Sequence, residues 1–173
     1  MAKDSADNKK KDLLELLKEI KNTKVVANQT ISTGSLFLDL QINPRRPGLR
    51  MGKCSVFAGR PGAGKSSLAL STARAFLALN KPGDPKPRKV IYIDIENGMD
   101  DSLLALYGFT RYNTENFEFK VTNEGPKILA FVERVIYAYQ GCEDLILIIL
   151  DGVPHMTFNS WDGNKPEFND YSK

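Results

Sequence analysis

Four short stretches of the sequence are rich in apolar residues at the spacing of β-strands, and segments with helical spacing lie between them. The predicted strands cover residues 53–58, 90–96, 117–121 and 145–151. The second is almost continuous in apolar residues, which is typical of a parallel strand covered on both faces. The fourth is a run of aliphatic residues that ends in an aspartate, and we expect it to be the most deeply buried.

The segments between these strands carry apolar residues every three or four positions. The predicted helices follow Lys65 up to Leu79 and cover residues 100–107 and 127–139. Strands that alternate with helices predict an α/β fold with a largely parallel sheet, flanked by helices and joined by right-handed crossovers. The first helix is expected to bury Leu68, Thr72, Ala75, Phe76 and Leu79, and the last to bury Ile128, Phe131, Val132, Val135, Ile136 and Tyr139.

An amphipathic helix is predicted before this region, because Leu13, Leu16, Leu17 and Ile20 recur at helical spacing between charged residues. Residues 24–30 follow neither period and are predicted to be a linker. We therefore divide the chain into a helix and linker, residues 1–30, and an α/β core, residues 31–173. The apolar face of the helix needs a partner, which is either its own core or a neighbouring subunit.

The composition of the chain bears on the size of its core, its cellular location and its contact with membranes. Its 173 residues are enough for one buried core, and no apolar run is long enough to span a bilayer. The first residues are polar and partly acidic, unlike a secretory signal, so we expect a cytoplasmic protein without membrane contact. Cys54 and Cys142 lie in or beside strand-like runs and are expected to be buried free thiols. The net charge of +3 does not by itself indicate a nucleic-acid partner.

The first candidate for chemistry is a glycine-rich turn that fits the phosphate-binding pattern G-x-x-x-x-G-K-[ST]. In such a loop, backbone N–H groups surround an anion at the start of a helix. Lys65 would place a cation on the β- and γ-phosphates of a nucleotide, and Ser66 would bind Mg²⁺. The alternative is a flexible glycine turn without a ligand. The predicted phosphate contacts are Gly59, Arg60, Pro61, Gly62, Ala63, Gly64, Lys65, Ser66 and Ser67.

Carboxylates at the ends of two predicted strands extend this site. Asp151 ends the fourth strand and is predicted to hold Mg²⁺ opposite Ser66, and Glu96 ends the second and is the candidate for activating a water molecule. Glu96 has an alternative as a surface acid in a salt bridge, and Asp94 is expected to be structural. His155 has no partner at the spacing of a triad or a metal site. Ligands of parallel sheets bind beyond the carboxyl ends of the strands, where these residues would meet.

Several segments together resemble the RecA recombinases, especially the divergent bacteriophage recombinases of the UvsX type. The resemblance covers residues 31–153. The resemblance includes the phosphate loop and Asp151 at the end of the fourth predicted strand. It also includes three further segments: Ile-Ser-Thr-Gly-Ser-Leu-Phe-Leu-Asp at 31–39, Gly-Leu-Arg-Met-Gly-Lys at 48–53 and Tyr-Ile-Asp-Ile-Glu-Asn-Gly-Met-Asp at 92–100. The first and last of these segments are more specific than the phosphate loop, which many ATPases share.

The resemblance implies an ATPase that uses ATP and Mg²⁺, binds single-stranded DNA as a filament and exchanges strands in recombination and repair. It implies that Glu96 activates water, that Asp100 contacts the adenine, and that the helix at 13–20 packs on the adjacent protomer. A phage-encoded protein would act in the cytoplasm of its bacterial host.

The chain also departs from the family pattern. Leu103 stands where an aromatic residue often holds the adenine, and the loop at 80–88 is longer than usual. The further strands, DNA-binding loops and γ-phosphate sensor of the family do not follow the fourth strand. We therefore expect a C-terminally incomplete core, an N-terminal portion of a recombinase.

Two other classes of function fit the same motifs. A ring-forming or helicase-type ATPase with the RecA fold shares both nucleotide motifs but does not need the Ser-Thr-Gly-Ser segment at 32–35. A non-catalytic fragment that binds a recombinase filament and regulates it is the second alternative.

Overall fold

The computed structural model describes residues 29–80, 82–83, 87–139 and 145–158. The predicted helix at 13–20, most of the linker, Cys142 and residues 159–173 lie outside these ranges. In chain order the elements are β1 (Thr30–Ile31), α1 (Leu36–Ile42), β2 (Leu49–Arg50), α2 (Lys65–Leu77), β3 (Lys89–Asp94), α3 (Asp101–Leu106), β4 (Phe117–Val121), α4 (Gly125–Ala138), β5 (Ile146–Asp151) and a 3₁₀ turn, Val153–His155.

Within the described ranges, the main sheet consists of three parallel strands in the order β4–β3–β5. Its register pairs Asp94 with Val121 on one side and with Asp151 on the other, so the carboxyl ends of the three strands lie level. Strands and helices alternate along the chain, which confirms the predicted α/β class with a parallel sheet flanked by helices. A second sheet is only the short antiparallel pair β1–β2.

Helices cover both faces of the central strand β3. On one face Val90 and Tyr92 pack with Leu70, Ala73 and Phe76 of α2 and with Leu104 of α3. On the other face Ile91, Ile93 and Ile95 pack with Ile128 of α4. The apolar run of β3 is therefore continuous because both faces of the strand are buried, as the sequence indicated.

The prediction that the last strand is the most buried is wrong. Every residue of β5 is half-buried, whereas β3 is buried from Val90 to Asp94. Among the described residues, no strand pairs with the other edge of β5, so it is an edge strand while β3 has a neighbour on each side. An apolar run indicates that the faces of a strand are covered, but it carries no information on how many neighbours the strand has.

The predicted strand at 53–58 is also not observed. These residues form no strand, and the Val56 side chain is 82% exposed. A strand needs a neighbour for its backbone hydrogen bonds, and no described residue pairs with this segment. Cys54 is an exposed free thiol, so its predicted burial is wrong as well.

The buried faces of the two long helices match the predictions in part. In α2, Thr72 and Phe76 are buried as expected, but Leu70 and Ala73 are buried in place of Leu68 and Ala75. Leu79 lies beyond the end of α2 and is 51% exposed. In α4, Phe131, Val132 and Val135 pack beside Ile128, while Ile136 is 60% exposed. Ile136 follows Val135, and successive helix residues point about 100° apart.

The segment at 32–39 is a tight turn built around the buried carboxylate of Asp39. Asp39 Oδ2 accepts a hydrogen bond from Ser32 Oγ at 2.6 Å. Asp39 Oδ1 accepts bonds from the backbone N–H and the hydroxyl of Thr33, at 2.8 and 2.7 Å. Gly34 has φ of 85°, and a Cβ there would lie 2.0 Å from Ser71 Oγ of α2, so a side chain at this position would strain the backbone and displace the Ser71 hydroxyl. The turn thereby attaches β1 and α1 to α2, the helix that follows the glycine-rich turn at residues 59–64 (the glycine loop).

None of the helices in the described ranges is long and apolar enough to cross a lipid bilayer.

Candidate functional site

The glycine loop leads directly into α2. Gly64 is the N-cap of that helix, with φ of 82°, and Gly62 has φ of 76°. No atom lies within 4 Å of a Cβ built at either glycine. The requirement for glycine here is therefore conformational, because side chains disfavour this left-handed backbone.

The lysine of the motif closes the loop on itself. Lys65 Nζ donates hydrogen bonds to the carbonyl oxygens of Gly59 and Arg60, at 3.1 and 3.0 Å. The ammonium is therefore held over the start of the loop, where a phosphate would enter. All predicted contacts from Gly59 to Gly64, including Pro61 and Ala63, are exposed, and Lys65, Ser66 and Ser67 are half-buried in the first turn of α2.

Tyr92 connects the loop to the end of β5. Its hydroxyl donates a hydrogen bond to Asp151 Oδ2 at 2.7 Å. The Ser66 side chain lies beside the same phenol. Burial raises the pKa of Tyr92, and the hydrogen bond to Asp151 and the charges of Asp151 and Asp94 raise it further. The phenol therefore keeps its proton and acts as a donor to the carboxylate.

The oxygen atoms gathered here fit a magnesium ion. Ser66 and Asp151 supply hard oxygen donors beside a single phenol. Within the described ranges, no group of three or more His, Cys, Asp or Glu side chains converges on a metal-sized site. Mg²⁺ is commonly bound by one or two side chains together with substrate phosphates and water. The donor set thus suits an ion that arrives with a nucleotide.

Glu96 lies just beyond β3 and faces the segment after β5. Its Oε2 is 3.8 Å from His155 Nδ1, and both side chains are largely exposed. His155 is exposed, as expected for a histidine outside a triad or metal site, and its neighbour in the structure is Glu96. Gly152, with φ of 85°, passes so close that a Cβ there would lie 2.9 Å from Glu96 Cβ.

The segment that carries His155 is anchored at its far end. Thr157 forms a parallel bridge with Glu124, and its amide donates to the carbonyl of Asn123 at 2.7 Å. The ring of Phe158 lies against Gly125 at the start of α4. Residues 154–158 are thus held on the sheet edge, and His155 is positioned from both sides.

Asp94 has the structural role expected for it. Its carboxylate is buried and accepts hydrogen bonds from the backbone N–H groups of Met99, at 3.0 Å, and Gly98, at 3.4 Å. These bonds hold the turn between β3 and α3, which includes Glu96. The turn is tight enough to place Asn97 at a positive φ of 54°.

Asp100 is the N-cap of α3 in the structure. Its carboxylate accepts a hydrogen bond from the backbone N–H of Ser102 at 2.9 Å. This bond, and then the Ser102 side chain, hold the pKa of the exposed Asp100 below its usual value. Arg111 contacts Asp101 and the carbonyl of Met99, which secures the same turn. The predicted adenine contact of Asp100 stays a prediction.

Two residues of this site, Tyr92 and His155, are absent from the set predicted from the sequence. The sequence does carry a signal for Tyr92: its hydroxyl lies within a mostly apolar strand, and a buried polar group of this kind needs a partner. His155 left no comparable signal, because its neighbour Glu96 is 59 positions away in the sequence.

The comparisons with known proteins agree with this architecture. A family model described as an AAA domain matches residues 37–169, which is well over half of the chain. Neither the curated proteins nor the solved structures gave a match. The matched region includes the glycine loop, the parallel sheet and the acids at its carboxyl edge. The chain therefore belongs to the AAA domain family of P-loop ATPases.

Proposed function

We propose that this protein is an ATP- and Mg²⁺-dependent recombinase of the RecA type that assembles on single-stranded DNA. The observation that supports it most is that the two residues predicted to bind the metal meet at Tyr92: its phenol donates a hydrogen bond to Asp151, and Ser66 of the loop lies beside it. Glu96 follows the strand that carries this phenol. A flexible glycine turn without a ligand would not need these residues at one edge.

Each group has a role that follows from its position. The exposed N–H groups of the loop would surround the phosphates, and Lys65 would exchange its carbonyl partners for phosphate oxygens. Ser66 and Asp151 would hold Mg²⁺, which when bound neutralises charge on the phosphate oxygens. The exposed carboxylate of Glu96 would orient and deprotonate the attacking water.

The assignment to recombinases rests on the segments that resemble that family. In the turn at 32–39, the buried Asp39 carboxylate accepts three hydrogen bonds from Ser32 and Thr33. This defined structure supports the interpretation of the segment as a specific motif. In this proposal Asp100 contacts the adenine, and the helix at 13–20 packs on the next protomer of a filament. The protein would act in the cytoplasm of a bacterial host.

A ring-forming or helicase-type ATPase is the second candidate. The match to the AAA domain family favours it as much as it favours a recombinase, because the family match reaches only to the level of a P-loop ATPase. The two candidates share the nucleotide site and differ in how their protomers assemble.

The nucleotide site is tested by titrating the protein with a fluorescent ATP analogue in the presence of Mg²⁺. Lys65→Ala should abolish binding, because it removes the cation that the loop presents to the phosphates. Lys127→Ala is the matched control, since Lys127 is exposed on α4 and, among the described residues, forms an ion pair with Glu124 at 2.7 Å. Unchanged affinity of the Lys65 variant would contradict the proposal.

The choice between the candidates needs a second experiment. Phosphate release should increase when single-stranded DNA is added, and electron microscopy with ATP and DNA should show helical filaments. Closed rings would support the helicase-type ATPase instead. Inhibition of a separate recombinase by a chain without ATPase activity would identify a regulatory fragment.

A further inference from the structure

We infer that Tyr92 is a positioning residue for the metal site, whose phenol holds the Asp151 carboxylate by a hydrogen bond and sets its orientation beside Ser66. The inference rests on the proposed function, because it concerns the same Mg²⁺–nucleotide site. It adds to that site a residue that belongs to neither the glycine loop nor the strand of Asp151.

Packing fixes the place of the phenol. Tyr92 lies on the central strand β3 and has no exposed surface. Its ring stacks on Phe119 of β4, with centroids 5.7 Å apart and planes 20° from parallel. Leu70 and Phe76 of α2 belong to the same cluster. The hydroxyl therefore points from a rigid part of the core to the edge of the site, and its position does not depend on a ligand.

The hydrogen bond between Tyr92 and Asp151 determines which oxygen atoms remain available to a cation. The phenol has one proton, which it donates to Asp151 Oδ2. Its oxygen keeps its lone pairs as acceptors, and the Ser66 side chain lies beside it. In this arrangement the lone pairs of Ser66 Oγ and the second carboxylate oxygen of Asp151 are left for a cation. Outer-shell partners of this kind orient metal ligands and raise metal affinity.

A purely structural role makes a different prediction. If Asp151 only satisfied the hydrogen bond of a buried phenol, removing the hydroxyl would change stability and leave the metal affinity of the folded protein as it was. If the phenol positions the ligands, its removal weakens metal binding at a site that it does not touch directly. Metal affinity therefore separates the two roles.

The test is a titration with Mn²⁺, an oxygen-binding substitute for Mg²⁺, followed by electron paramagnetic resonance in the presence of a non-hydrolysable ATP analogue. Tyr92→Phe keeps the ring and its stacking and should weaken Mn²⁺ binding about tenfold, within the range known for outer-shell partners. Affinity for the nucleotide alone, measured in EDTA, should be unchanged. Tyr107→Phe is the matched control, because Tyr107 is half-buried against the same cluster and follows α3.

Each outcome has one meaning. Equal Mn²⁺ affinity in the Tyr92 and Tyr107 variants would overturn the inference. Failure of the wild-type protein to bind nucleotide or Mn²⁺ would instead contradict the proposed function. If Tyr92→Phe does not fold, as judged by its thermal unfolding, the wild-type protein labelled with ¹³C at the tyrosine Cζ atoms replaces it. The Tyr92 Cζ signal should then shift when the metal joins the nucleotide complex, and an unmoved signal would overturn the inference.

Discussion

Glu96 and His155 form a contact that joins the ends of two neighbouring parallel strands, with Glu96 Oε2 and His155 Nδ1 3.8 Å apart. Glu96 follows β3, and His155 lies on the 3₁₀ turn after β5. The carboxylate proposed to activate water therefore has a basic neighbour on one side and is open to solvent on the other. The contact makes separate predictions for the two residues.

Glu96→Gln should lower the rate of ATP hydrolysis by at least about 100-fold, because the amide keeps the shape of the side chain but cannot accept a proton. The affinity for the fluorescent ATP analogue should be unchanged. Phosphate release with and without single-stranded DNA is the measurement, and Glu118→Gln, on the exposed side of β4, is the control. Equal rates in the Glu96 variant and the wild type would remove Glu96 from the catalytic role.

His155→Ala should have a much smaller effect. An exposed pair contributes up to about 1 kcal/mol, which corresponds to a decrease in hydrolysis of at most about fivefold. Nucleotide affinity should stay the same, because His155 does not face the glycine loop in any described contact. A loss as large as that of Glu96→Gln would mean that His155 takes part in the reaction itself.

Much of the α/β core could be predicted because its signals are local. The predicted strand at 117–121 has the observed bounds, and the predictions for β3, β5, α3 and α4 differ from the structure by at most two residues at either end. Each of these segments is a short apolar pattern bounded by turn residues. The segment at 53–58 has the same local pattern and yet forms no strand, because strand formation depends on a neighbour that the pattern does not specify.

Only those residues of the site that belong to a motif within one segment of sequence could be predicted. The glycine loop, Glu96 and Asp151 were identified from their own segments. The hydrogen bond between Tyr92 and Asp151 spans 59 positions and depends on the register of β3 with β5, which places Tyr92 opposite Ile149. Contacts of this kind are set by the packing of the whole sheet and leave no pattern in a single stretch of sequence.

Asp39→Ala should lower the free energy of unfolding by about 2–3 kcal/mol, because it leaves the Ser32 and Thr33 donors without their charged acceptor. Urea unfolding at pH 7 measures the change. Ser32→Ala, which removes one donor and leaves the carboxylate with two, should cost about 1 kcal/mol. Equal losses in the two variants would contradict the central place of Asp39 in this turn.

The same carboxylate predicts an acid dependence of stability. Burial by itself would raise the pKa of Asp39, but the hydrogen bonds from Ser32 and Thr33 outweigh it and hold the pKa below its usual value of 3.8. A lowered folded-state pKa contributes stability that is complete above the unfolded value and is lost as the pH falls through the folded one. Wild-type protein should therefore lose more stability than Asp39→Asn when the pH falls from 5 to 3 in urea titrations. Parallel losses would contradict the assignment.

Gly152→Ala should impair both stability and hydrolysis, and Gly108→Ala provides the matched comparison. Both glycines have a left-handed backbone, with φ of 85° and 82°, so alanine costs about 1–2 kcal/mol at either position. A Cβ at Gly108 meets no atom within 4 Å, whereas one at Gly152 would lie 2.9 Å from Glu96 Cβ and 3.1 Å from Glu96 N.

The close approach at Gly152 should add about 1–3 kcal/mol to the loss of stability, because the strand ends must move apart. That movement displaces Glu96, so hydrolysis should fall in the Gly152 variant and stay near the wild-type rate in the Gly108 variant. Urea unfolding and phosphate release on the same two proteins measure both effects. If the two variants were equally stable and equally active, the contact between Gly152 and Glu96 would have no part in positioning the carboxylate.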